Sequence, residues 1–301
     1  MIDWQERITR DTSPAIRVEH RVRYAMAAPV VAEASVWADL GCGNGIAAGD
    51  ALGGRIPERV LLVDNSEDAL AQARRELEAK QLSTLQADLA SSDDLARIEQ
   101  RLVSDGVRDG CVTAFEVVEH LTDFVPLIEL LVELAERDGV TSVLSVPNDA
   151  FWSVENPFHV TKWGEGAFEE LRRVLPPDHM VARQYALHGT VGVVEHENSE
   201  RRMVTVEPAP VPVPTHFLVA FGPAASRLDG AAAVAGADLV EQRRWERQRE
   251  SDLAHLQASD RFHRDELDKR IAEMDDWRKY IHELEEKLDL PLSGTRDQDS
   301  V

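Results

Sequence analysis

The chain has little cysteine, no long apolar run and a shortage of positive charge, and each scarcity removes a class of protein. Only Cys42 and Cys111 occur among 301 residues, so no disulfide scaffold is available and two reduced thiols in strand-like surroundings are expected. No stretch reaches the roughly eighteen uninterrupted apolar residues of a membrane span. The opening Met1-Ile2-Asp3-Trp4-Gln5-Glu6 lacks the charged-then-apolar order of a secretory signal, and a cytoplasmic location is expected. Lysine and arginine number 33 against 55 acids, a net charge of −22. Such a chain repels phosphate backbones and anionic membranes, which disfavours a general nucleic-acid binder. Two phosphate-binding patterns are also missing. There is no Gly-Lys-Ser/Thr, and Ile46 stands where a dinucleotide fingerprint needs its third glycine.

What is present is organised by alternation. Residues 1–35 read as an N-terminal helical cap. Strand patterns at Val36–Leu40, Val60–Val63, Thr84–Ala87, Cys111–Phe115 and Val140–Val146 then alternate with helical ones beginning near Ile46, Glu67, Asp93 and Val118, and a further helix is expected from Glu165. This order implies right-handed crossovers and an α/β domain with a mostly parallel sheet covered on both faces, over residues 36–225. Four strand-like stretches follow residue 178: Met180–Leu187, Val191–Val194, Met203–Val206 and His216–Phe221. Two are expected to form an antiparallel end of the sheet, and the rest a β-hairpin insertion at about 189–214.

Residues 227–290 are helical in pattern, highly charged and free of proline up to Leu288. Leu253, Leu256, Asp260, His263, Leu267, Arg270, Met274, Trp277, Ile281, Leu284 and Leu288 recur at alternating steps of three and four, and eight of these eleven are apolar. This is the seam of a coiled coil, pointing to a homo-oligomer or a partner helix through residues 250–288; the alternative is one helix packed back on the α/β domain. Residues 291–301 are polar and expected to be a disordered tail.

The densest chemical signal is Asp39-Leu40-Gly41-Cys42-Gly43-Asn44-Gly45, at the end of the first strand. Glycine lets a backbone turn sharply and approach a ligand closely, and the following helix aims N–H groups at it. Asp64 ends the second strand nineteen residues after Gly45, a distance that suits hydrogen bonding to a ribose diol. Asp88, at the end of the third, suits an adenine amino group, or else caps a helix. Glu116, Glu119 and His120 follow the fourth strand at i, i+3 and i+4, which on a helix places all three on one face. Pro147-Asn148 ends the fifth, and Asn156-Pro157-Phe158-His159 comes after it.

The acid-x-Gly-x-Gly-x-Gly turn with Asp64 in register resembles motif I of class I S-adenosylmethionine (SAM)-dependent methyltransferases, whose fold is Rossmann-like. Four further matches resemble bacterial members associated with surface-polysaccharide assembly: His20 with Arg23-Tyr24, the segment Phe115 to Leu121, Pro147-Asn148, and Asn156 to His159. The resemblance spans roughly residues 15–180. It implies SAM as cofactor, bound by Asp39, Gly41, Gly43, Gly45 and Asp64. Asn65, Asp88, Leu89 and Glu116 would line the same site, with Arg23 or Tyr24 over the methionine carboxylate. Two departures, Asn65 in place of an apolar residue and Thr161-Lys162-Trp163 in place of an acidic-aromatic pair, leave the acceptor open.

The implied reaction is O-methylation, with a sugar hydroxyl of a surface glycan or its precursor as acceptor. A neutral histidine suits removal of the hydroxyl proton near pH 7, which makes His120 or His159 the base, with Glu119 orienting it. Glu116, Glu119, His120 and His159 also form a set able to hold Mg²⁺, Mn²⁺ or Zn²⁺, as in small-RNA 2′-O-methyltransferases and some quinone-biosynthesis relatives. A third reading is a non-catalytic scaffold that recruits partners through its coiled coil.

Overall fold

The computed structural model describes residues 8–152, 156, 158–185, 213–228 and 239–288. The chain divides into two units, residues 1–237 and 238–301. In the first, α1 (Pro14–Ala32) precedes β1 (Trp37–Leu40), α2 (Ile46–Leu52), β2 (Arg59–Asp64), α3 (Glu67–Glu76), β3 (Gln81–Gln86) and α4 (Ser92–Ser104). Then come β4 (Cys111–Phe115), α5 (Val125–Asp138), β5 (Thr141–Pro147), α6 (Asp149–Trp152), α7 (Glu165–Val174), β6 (Met180–Gln184) and β7 (His216–Phe221). The hairpin expected at about 189–214 and the tail at 291–301 lie outside the described residues, apart from Val213 and Pro214.

The strands form one sheet in the order β3-β2-β1-β4-β5-β7-β6. The first five pair in parallel, and β7 runs antiparallel to both β5 and β6. This is the Rossmann-like arrangement with an antiparallel end. Trp37 to Leu40 are all buried, as a central strand covered on both faces requires. One face packs on α4, α5 and α7 through Leu95, Ile98, Leu127, Leu131, Phe168 and Leu171. The other packs on α1, α2 and α3 through Tyr24, Val30, Leu52, Leu70 and Ala73.

Local chemistry sets the helix limits. Ser66 and Ser91 accept hydrogen bonds from the Ala69 and Asp94 amides, 3.3 Å each, capping α3 and α4. The helix expected from Val118 begins instead at Val125. A single tight turn, Val118–His120, intervenes, and Pro126 favours a helix start there, since proline suits a first turn and restricts the residue before it. The order of strands reverses between β1 and β4, so their carboxyl ends open a crevice where the chain's polar residues gather.

The second unit holds α8 (Leu239–Lys287), a single helix of 49 residues. No helix among the described residues is long and apolar enough to cross a membrane.

Candidate active site

The crevice is a cavity of about 460 Å³, a size suited to a small-molecule ligand. It is lined by the turn from Gly41 to Gly45, by Asp64 and Asn65, by Asp88 and Leu89, and by Tyr24, Glu116 and His120. The three glycines serve different ends. A methyl on Gly41 would meet Val117 Cγ2 at 2.4 Å, and one on Gly45 would meet the Ala73 backbone at 2.9 Å. Gly43, at φ +55°, has open space where its Cβ would be. Close packing therefore demands the outer two, and only the middle one gives a ligand room against the backbone.

Asp64 holds this turn in shape. Its Oδ2 accepts the Gly43 amide and its Oδ1 the Ser66 amide, both at 2.9 Å. Both carboxylate oxygens thus brace the turn, and Asp64 also lines the cavity. Asp88 Oδ1 accepts the Ala90 amide at 2.9 Å, shaping the rim. Ile8 also lines the cavity, and the Asn44 side-chain amide donates to its carbonyl.

Asp39 and Arg23, expected to touch the cofactor, do not line the cavity. Asp39 points into the protein interior. Its Oδ1 accepts from the Thr113 hydroxyl at 2.6 Å and its Oδ2 from Tyr24 at 2.8 Å. The Trp37 indole N–H in turn donates to Thr113 at 2.8 Å. Burial pushes the Asp39 carboxyl up to about 7 despite those two donors. Its place is beneath the glycine turn, steadying Tyr24, whose ring forms part of the cavity wall.

Arg23 is fully buried and faces Glu116, its Nη2 lying 3.9 Å from Glu116 Oε2. Glu116 also accepts from His216 Nε2 at 3.1 Å and from the Ser145 hydroxyl at 2.9 Å. Burial opposes its charge, but Arg23 and the His216 bond outweigh that and hold Glu116 well below the usual carboxylate range. Burial pushes His216 down against the pull of Glu116, and drives His20, which also lines the cavity, to about 3. Glu116 adopts φ +54° in the loop after β4, outside any helix. It therefore does not share a helix face with Glu119 and His120, as the i, i+3, i+4 spacing suggested. Nothing in the sequence around His216 pointed to its role, because a strand 100 residues downstream of Glu116 delivers it.

Glu119, His120 and His159 do come together. Each offers a ligand atom within 4.8 Å of the others, and the two rings meet edge-on with centroids 5.3 Å apart. The segment carrying His159 is tied to the tight turn through the Val160 and Thr161 amides, which both donate to the Glu119 carbonyl, at 2.9 and 3.1 Å. His120 Nδ1 donates to the Phe158 carbonyl at 3.0 Å. His159 Nδ1 bonds Asp149 Oδ1 at 2.8 Å, while Asp149 Oδ2 accepts the Trp163 amide at 2.6 Å. With both Nδ1 atoms engaged as donors, each neutral ring keeps its lone pair on Nε2. Asp149, two residues beyond Pro147, was not anticipated; the Pro-Asn-Asp run ending β5 is the signal that marks it.

The family model described as a methyltransferase domain matches residues 38–143. This match covers about a third of the chain and supports an enzyme with SAM as its cofactor. The matched stretch contains the glycine turn, Asp64, Asp88, Glu119 and His120, whereas α1 and His159 fall outside it. Among solved structures, the methyltransferase domain of bacterial CtHen1 is 20% identical over 63% of this chain and 91% of its own, with a TM-score of 0.41. The small RNA methyltransferase HEN1 is 20% identical over 67% of this chain and 24% of its own, at 0.45. The plantazolicin methyltransferase BpumL, solved with S-adenosylhomocysteine, is 14% identical over 69% and 84%, at 0.41. No curated protein matches the chain.

Proposed function

We propose that this methyltransferase acts on a hydroxyl of a sugar, with Glu119, His120 and His159 on the acceptor side. The observation that carries this reading is the position of His120. It lines the cofactor cavity while facing His159, so the cluster borders the space where a methyl donor fits. SAM supplies an electrophilic methyl group. Methyl transfer is an in-line displacement, so the protein's work is to position the nucleophile and take its proton. An imidazole whose Nδ1–H is tied to a backbone carbonyl or to Asp149 is fixed in the tautomer that accepts a proton at Nε2. Asp64 is assigned to the ribose hydroxyls and Gly43 to close backbone approach. Asp88, Leu89 and Asn65 are assigned to the adenosine side.

The same cluster favours a second reading, in which a divalent cation assists. One carboxylate and two imidazoles, one of them backed by Asp149, form a donor set with positions left over for an acceptor oxygen. Such a cation would lower the pKa of that hydroxyl. Glu116 lies outside this set, its carboxylate meeting His216 and Ser145.

The net charge of −22 supports an acceptor other than a polyanion, in keeping with a surface glycan or its precursor rather than RNA. Residues 250–288 are assigned to self-association, since α8 exposes its apolar seam. The test is transfer of labelled methyl from SAM to a panel of nucleotide sugars, glycans and a short RNA. It is run with chelator and after adding Mg²⁺ or Mn²⁺. We expect His120→Ala and His159→Ala each to lower turnover by about 10²–10⁴-fold while calorimetric SAM binding persists. Full turnover in both variants overturns the assignment.

A further inference from the structure

Self-association through α8 leaves open which way the second copy runs, and the polar residues in the seam decide it. Leu253, Leu256, Leu267, Met274 and Trp277 are each more than half exposed on this helix. Asp260, His263 and Arg270 interrupt them at seam positions. Asp260 pairs with Arg264 at 2.8 Å and Arg270 with Glu266 at 3.8 Å, both one turn away along the same helix. Pairing two copies in parallel and in register would set Asp260 against Asp260 and Arg270 against Arg270 inside the seam. Like charges that face each other with water excluded are strongly disfavoured.

We propose that α8 pairs antiparallel with α8 of a second copy, about a two-fold axis at residue 265, so that Asp260 of each copy faces Arg270 of the other. In an antiparallel coiled coil the first seam position of a heptad meets the fourth of its partner. This one register then places Leu253 against Trp277, Leu256 against Met274 and His263 against Leu267, each layer occurring twice by symmetry. Sliding the partner by one heptad toward the C-termini brings Leu253 to Leu284 and Leu256 to Ile281. That slide also puts Asp260 against Trp277 and Arg270 against Leu267, burying four charges without partners. Charge complementarity thus selects both direction and register. At 1.5 Å per residue the Leu239 ends of the two helices lie roughly 80 Å apart.

The inference rests on self-association, and the experiment separates the two. Sedimentation of the full chain is expected to show a dimer; a monomer overturns both ideas. Leu256→Cys and Met274→Cys are then made singly and together, with the native Cys42 and Cys111 buried and out of reach. Antiparallel pairing predicts a thiol-linked dimer only when the two single variants are mixed or when one chain carries both cysteines. In a single variant the two thiols lie about 27 Å apart. A dimer in which either single variant links to itself is parallel. A dimer in which the double variant fails to link has another register. Either result overturns the proposal and spares self-association. As a second measurement with the native cysteines alone, Asp260→Arg should weaken the dimer at least tenfold and Asp260→Arg/Arg270→Asp should restore it. No effect of the single charge reversal refutes the pairing.

Discussion

Replacing Asp39 by Asn tests whether the residue beneath the glycine turn is held partly uncharged. The Asp39 carboxyl is fully enclosed and raised by burial from 3.8 to about 7. An acid raised in this way keeps its proton in the folded chain over a pH range where the unfolded chain has lost it. Its contribution to stability is therefore lost as pH climbs from about 4 to about 7. At about 1.4 kcal/mol per unit the full change is on the order of 4 kcal/mol. His20 acts in the opposite sense across much of the same window. Burial lowers it from 6.5 to about 3, so the unfolded imidazole takes up a proton first and stability falls as pH drops below about 6.5. The two slopes offset each other in the native chain, so the difference between variant and native chain is the quantity to follow. Asn can still accept from Thr113, and its amide can donate to Tyr24 in place of the bond Tyr24 now donates. Urea midpoints from pH 4 to 8 are expected to show Asp39→Asn within about 1 kcal/mol of the native chain at pH 4. Its relative stability should then increase steadily toward pH 8. A difference that does not change with pH would refute the reasoning.

Other substitutions separate support from binding. Gly41→Ala forces a methyl against Val117 at φ +73°, so its melting temperature should drop sharply, by overpacking of about 1–3 kcal/mol on top of the backbone strain. Gly43→Ala should cost only the roughly 1–2 kcal/mol of its positive φ while weakening SAM binding in calorimetry. Arg23→Met leaves the Glu116 charge without its cation and should destabilise the chain by about 3 kcal/mol at pH 8; adding Glu116→Gln should recover most of that in urea unfolding. Asp149→Asn keeps one acceptor where two are used, so His159 loses its anchor and turnover should fall about 10–100-fold with SAM affinity unchanged.

The alternation of strand and helix patterns and the spacing from Gly45 to Asp64 were legible because they depend on near neighbours: periodicity, turn chemistry and one crossover. The placing of Glu116 was not. A period of 3.6 put it with Glu119 and His120, but that arithmetic holds only on a helix, and here the chain makes one tight turn before Pro126 opens the real helix. The direction of the Asp39 carboxyl was hidden for a related reason. Its position at the end of β1 is a sequence property, whereas whether its carboxyl faces the crevice or the interior depends on Thr113 from β4 and Tyr24 from α1.

By itself the sequence determined an α/β chain with a glycine turn, an acid at the next strand end and a charged helical extension, since each is written in short-range pattern. Only the tertiary structure decided which acids and histidines share a site. Strand order brings β4, β5 and β7 side by side, and so sets Glu116 beside His216 and leaves Glu119 and His120 to His159. Long-range pairing of that kind has no local signature, because the residues it joins are chosen by the sheet and not by their neighbours in the chain.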